Sequence, residues 1–146
     1  MITEDFCSLE VAKLLKEKGF NEPCYYMYTT DGIVEYNSKA KLSLMTNTMI
    51  DSYDDWVRKV FPCTCPTQQM VLKWLREVHN IFVSISVGYV GKESRRKYFA
   101  DIMFLHEDRI EYTNIEQTEF MRDTQEETID AAIKYALNKF IETPKE

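Results

Sequence analysis

Ile81-Phe82-Val83-Ser84-Ile85-Ser86-Val87-Gly88-Tyr89 is the stretch that decides the fold. Isoleucine, valine and tyrosine fall at every second position, with Phe82, two serines and a glycine between them. A chain that repeats every two residues puts the alternating set on one side. A helix turns once in 3.6 residues and would scatter the same side chains around its circumference. The stretch reads as a strand with one wet side.

Toward the C-terminus, a polar turn at 91–96 leads to Tyr98, Ala100, Ile102 and Phe104, alternating with Lys97, Asp101 and Met103. The His106-Glu107-Asp108 turn then starts a third strand with Ile110 and Tyr112, so the three form an antiparallel meander. Thr124-Gln125-Glu126-Glu127 follows as a capping box. Ile129, Ala132, Ile133, Ala136, Leu137 and Phe140 trace the apolar stripe of a long helix, with Pro144 as a stop and 142–146 as a frayed tail.

Toward the N-terminus, Val71, Trp74, Leu75 and Val78 recur at helical spacing, and Pro66 suits the first helical position. That helix is expected to face the core and end near His79-Asn80. Ser52, Asp54 and Asp55 are expected to open a short helix with Trp56, Val57 and Val60 on one side, ended by Pro62. Residues 37–51 show no clean period, although Leu42, Leu44, Met45, Met49 and Ile50 are too apolar to be wholly solvated. Residues 25–29 and 33–36 flank Asp31-Gly32 as a hairpin. Ser8 caps a helix over 9–18, which Gly19 ends and Phe20 closes.

These elements define an α+β fold of two layers: an antiparallel sheet, made of a hairpin plus a three-stranded meander, with helices packed on one face. A chain of 146 residues with 45% hydrophobic and 29% charged residues fits one globular domain over 1–146. The net charge of -6 repels phosphate backbones and anionic lipid, which disfavours nucleic acid as a partner. No run of about 18 apolar residues is present to span a bilayer. Glu4 and Asp5 stand where a signal peptide carries basic residues, so a cytoplasmic location is expected. Cys7, Cys24, Cys63 and Cys65 are too sparse for a disulfide scaffold and are expected to be thiols, mostly buried.

Pro66-Thr67-Gln68-Gln69, Lys73-Trp74-Leu75-Arg76-Glu77 and Asn80-Ile81 form the segment P-T-Q-x(4)-K-W-L-R-E-x-x-N-I. Together with Val11-Ala12-Lys13-Leu14-Leu15, Gly19-Phe20 and the helix over 126–135, it resembles a group of small uncharacterised proteins of gut bacteria and their prophages. The likeness covers about half the chain and leaves the middle loop unmatched. It implies a shared compact α+β fold and a link with mobile elements, and it carries no catalytic roles.

No complete catalytic or metal-binding signature is present, no cofactor is implied, and the chain reads more readily as a non-enzyme. Cys63-Thr64-Cys65 has a spacing that can share a zinc ion, but about fourteen residues of helix put His79 on the order of 20 Å from Cys65. The same thiols precede a helix, where the dipole can activate Cys65, yet no adjacent base is evident. The paired acids Glu107-Asp108 and Glu126-Glu127 are explained by a turn and a cap.

Two surfaces remain as candidates for a protein partner. Lys92, Arg95, Arg96 and Lys97 concentrate positive charge at a hairpin tip. Tyr26 and Tyr28, with Tyr25 and Tyr36, are able to present an aromatic face on the first hairpin, or else to serve as core and cross-strand pairs. The leading expectation is a small cytoplasmic interaction or accessory protein of bacterial or prophage origin. The alternative is a small-molecule binding domain or enzyme with a pocket between sheet and helices; nucleic-acid mimicry by the acidic surface ranks third. Oligomeric state and ligand are not legible in the sequence.

Overall fold

The computed structural model describes residues 4–35, 37–38, 41–42, 44–113 and 117–145. They form two compact units, one of Met1–Thr67 with Glu142–Glu146 and one of Gln68–Ile141. The class is α+β, as the alternating and helical periods require.

In the first unit, α1 (Leu9–Glu17) begins where the Ser8 hydroxyl accepts the Val11 N–H at 3.3 Å. It ends where Gly19 takes φ +92°, with Gly19 N–H on Lys16 O and Phe20 N–H on Leu15 O. Those two bonds satisfy carbonyls that a helix end otherwise leaves orphaned, and Phe20 folds back into the core. β1 (Tyr26–Thr29) and β2 (Gly32–Glu35) pair antiparallel as the expected hairpin, a sheet of its own, and β3 (Asn37–Ser38) pairs with β4 (Lys41–Leu42).

The stretch at 44–60 differs from its reading. Thr46 caps a short α2 (Asn47–Asp51), with Met45 and Ile50 buried beside Met27 and Phe61. Helix α3 (Asp55–Val60) follows with Asp54, not Ser52, at its N-cap, and none of its residues is buried. Trp56, expected to pack, is 67% exposed. The buried cluster of this stretch is made by Met27, Met45 and Ile50 with Phe61, and α3 contributes no buried side chain. Residues 63–65 then run as an extended segment against β1, with Tyr28 N–H on Cys63 O and Cys65 N–H on Tyr26 O. Phe6 bridges Thr67 in the same way, so Pro66 lies in extended chain and not at a helix start.

In the second unit, α4 (Gln68–His79) leads into β5 (Ile81–Val90) through Asn80, whose φ of +56° makes the reversal in one residue. β5 pairs antiparallel with β6 (Arg95–Leu105) from Ile81↔Phe104 to Val90↔Arg95 without interruption, and β6 pairs with β7 (Ile110–Tyr112). Ile81, Val83 and Ile85 share a face with their partners Phe104, Ile102 and Ala100. Helices α4 and α5 (Gln125–Phe140) pack on that face, and Phe104 stacks on Phe140 at 5.3 Å. Ser84, Ser86, Asp101 and Tyr112 line the other face and are exposed, the wet side that the alternation predicts.

Thr124 caps α5 by accepting the Glu127 N–H at 3.2 Å, and buried Thr128 donates to Thr124 O and to Tyr98 O, tying the helix start to β6. The apolar stripe of α5 is buried as expected, from Ile129 to Leu137. That of α4 is buried only through Leu75, since Val78 is 56% exposed. No helix among the described residues is long and apolar enough to cross a membrane.

Candidate interaction surface

The β5–β6 hairpin is buried at its base and bare at its end. Ile81, Ala100 and Ile102 are in the core, whereas Val87 is 58% and Tyr89 76% exposed. Gly91, at φ +83°, makes the turn possible, and Ser94 N–H closes it onto Gly91 O. Large apolar side chains thus stand in water beside the cations that the sequence places at this tip.

Those cations do not form one bare patch. Arg95 pairs with Glu93 at 2.8 Å, Lys97 pairs with Asp123, and the Arg96 guanidinium lies 5.9 Å over the Tyr98 ring. The bond from Lys97 holds the Asp123 carboxyl below its ordinary range. Lys92 is exposed on the turn and Arg96 at the end of β6, so these two present charge outward. The Arg95–Glu93 pair is largely exposed and adds little to stability, whereas Lys97 is the more buried member of its pair with exposed Asp123.

Tyr26 and Tyr28 lie in the other unit and serve it internally. Tyr26 meets the Phe6 ring edge-on at 4.8 Å, and Tyr28 donates its hydroxyl to Cys7 O. Burial pushes the Tyr28 phenol well above its ordinary value. The more exposed tyrosine of this stretch is Tyr25, and Tyr36 falls outside the described residues. The sequence candidates therefore fall in different units.

All four cysteines are buried thiols outside any disulfide, and all lie in the first unit. Burial pushes the Cys24 and Cys63 thiols up to about 11 and the Cys65 thiol to about 12. A thiol is a weak nucleophile unless ionised, so these behave as small apolar core residues. Among the described residues no group of three or more His, Cys, Asp or Glu side chains is placed to hold a metal ion.

The histidines are each held by an aromatic ring. His79 meets Trp74 edge-on at 4.5 Å, and burial lowers its pKa from 6.5. His106 meets Phe104 edge-on at 4.4 Å and places Nε2 2.8 Å from the Glu111 carboxylate, whose pKa the contact lowers. The sequence reading missed that pair. Its signal was the register: with Phe104 opposite Glu111 across a tight turn, residue 106 becomes a diagonal neighbour of 111 on the same face.

Two depressions lie in this unit. One, of about 290 Å³, is bounded by Phe120, Arg122, Lys134 and Tyr135; the other, of about 360 Å³, lies on the wet face beside Ser84, Asp101 and Tyr112. Neither is lined by a histidine or a cysteine. A scan against family models and searches of curated proteins and of solved structures find no match to this chain.

Proposed function

We propose that this chain is a small cytoplasmic interaction or accessory protein, bacterial or prophage-borne, that contacts a partner protein through the end of the β5–β6 hairpin. The observation that carries the reading is the exposure of Val87 and Tyr89 next to the outward cations Lys92 and Arg96. Exposed aromatic and arginine side chains on one element are the residue types that anchor protein interfaces. The net charge of -6 argues against a nucleic-acid partner. The resemblance to small proteins of gut bacteria and their prophages supports the biological setting.

A small-molecule pocket between the sheet and its helices is less well supported. Leu75, Ile81, Ile102, Ile133 and Leu137 are buried to within 1% and fill the space that such a pocket would need. The test is affinity capture from nuclease-treated native lysate with wild type and with the K92E/R96E variant side by side. A stoichiometric partner lost with the variant supports the reading. A partner held equally by both moves the contact elsewhere, and recovery of the bait alone counts against an interaction role.

A further inference from the structure

Among the described residues, β5 is the edge strand of its sheet. The sheet order is β5-β6-β7, so among the described residues β5 has a strand on one side only. Natural proteins blunt such edges with charge, proline or a bulge. None of these occurs in Ile81–Val90, which carries no charged residue and no proline and pairs with β6 without a break in register.

The outward backbone groups are identified by the ladder. Leu105 N–H donates to Asn80 O, so hydrogen-bonded pairs join even-numbered residues of β5 to β6. The odd-numbered residues therefore aim their N–H and C=O groups away from β6; Ile81 is fully buried, which leaves Val83, Ile85, Val87 and Tyr89 to offer theirs.

We propose that two copies of this chain associate through β5, the strands pairing antiparallel about a two-fold axis at Ile85. The inference rests on the reading of this hairpin as a contact surface and names its first partner as a second copy. The sequence of the strand is what selects that occupant, because it is close to self-complementary about Ile85. Val83 meets Val87 of the second copy and Ile85 meets its own counterpart, so the outward backbone groups of these residues find their complements. On the wet face Ser84 meets Ser86, and the Phe82 ring covers Gly88, the position with no side chain of its own.

A two-fold interface puts the same surface on both sides, so a strand without charge meets no like charge. Beyond the strand, the register carries the tip with Lys92 to the last turn of α4 in the second copy. The helix dipole is negative there, and Glu77 adds to it. Tyr89 of the copy that supplies Lys92 reaches the foot of the same helix, where Val78 continues the buried stripe yet is exposed.

The test is sedimentation equilibrium across a concentration series for wild type and V87P, with disulfide crosslinking of the S84C/S86C variant. Val87 N–H points away from β6, so proline removes no bond within one copy. Wild type is expected to dimerise reversibly and V87P to associate about tenfold or more weakly, with the far-UV spectrum unchanged. Positions 84 and 86 face each other across the axis in a non-hydrogen-bonded pair, so S84C/S86C is expected to give a covalent dimer on oxidation. A wild type that stays monomeric at every concentration overturns the proposal and leaves the tip contact to be judged by the K92E/R96E capture. A dimer that V87P leaves intact and that S84C/S86C does not crosslink overturns it as well. Where V87P fails to fold, the crosslink alone decides.

Discussion

Replacing Trp74 with alanine removes the largest side chain on the buried face of α4. Trp74 is 7% exposed. An indole so enclosed buries about 200 Å², and trimming it to a methyl group forfeits roughly 150 Å² of that, worth about 4 kcal/mol at ~25 cal/mol per Å². Loss of the edge-on contact with His79 adds to this, and partial collapse of the cavity subtracts, giving an expected cost of about 3–5 kcal/mol. Against a typical stability of about 5–15 kcal/mol, that is a large fraction. Urea unfolding followed by far-UV circular dichroism should show a much lower midpoint with little change of slope. The exposed Trp56 is the internal control, since W56A should stay within about 0.5 kcal/mol of wild type. A W74A loss below about 1 kcal/mol refutes the placement of this indole in the core.

Asn47 is buried, donates from Nδ2 to Phe20 O at 2.9 Å and accepts Thr64 N–H at Oδ1, so N47A should cost about 2 kcal/mol or more, read by thermal melting. The native protein should show no rapidly reacting thiol toward a disulfide reagent at pH 8, and all four only in denaturant; a fast equivalent under native conditions contradicts the burial. The His79 pKa is lowered from 6.5 in the fold, so the unfolded chain takes up the proton first as pH drops. Its contribution is complete above 6.5 and is lost as pH falls through the folded value, and H79F should flatten stability in that window. Glu111 is likewise held below 4.5, so its contribution is present above that value and fades below it, and E111Q should shrink the decline there in acid-unfolding curves.

Elements with a sustained period were legible from the sequence. The alternation from Ile81 onward and the stripe from Ile129 to Phe140 each report a face that the fold buries, and both caps, Ser8 and Thr124, accept the expected N–H groups. Residues 44–60 were not legible, because what organises them is distant. Met45 exchanges both backbone hydrogen bonds with Cys24, and Asn47 reaches Phe20 and Thr64, contacts that no local period encodes. Pro66 misled for the same reason: its local preference for a helix start gave way to Cys7 N–H bonding its carbonyl. Of the candidate surfaces, the tip cations lie where the hairpin reading puts them. The sequence could not show that Tyr26 and Tyr28 are half-buried against Phe6 and Cys7, since alternation in a hairpin does not say which face is covered.

Residues 142–146 group with the first unit although the whole of the second unit precedes them in the chain. Pro144 lies beside the end of α1, its Cγ 3.0 Å from where a Cβ on Gly19 would stand. A ribosome therefore makes the whole second unit before it reaches this piece of the first. The N-terminal segment must wait through that interval for the contact between Gly19 and Pro144.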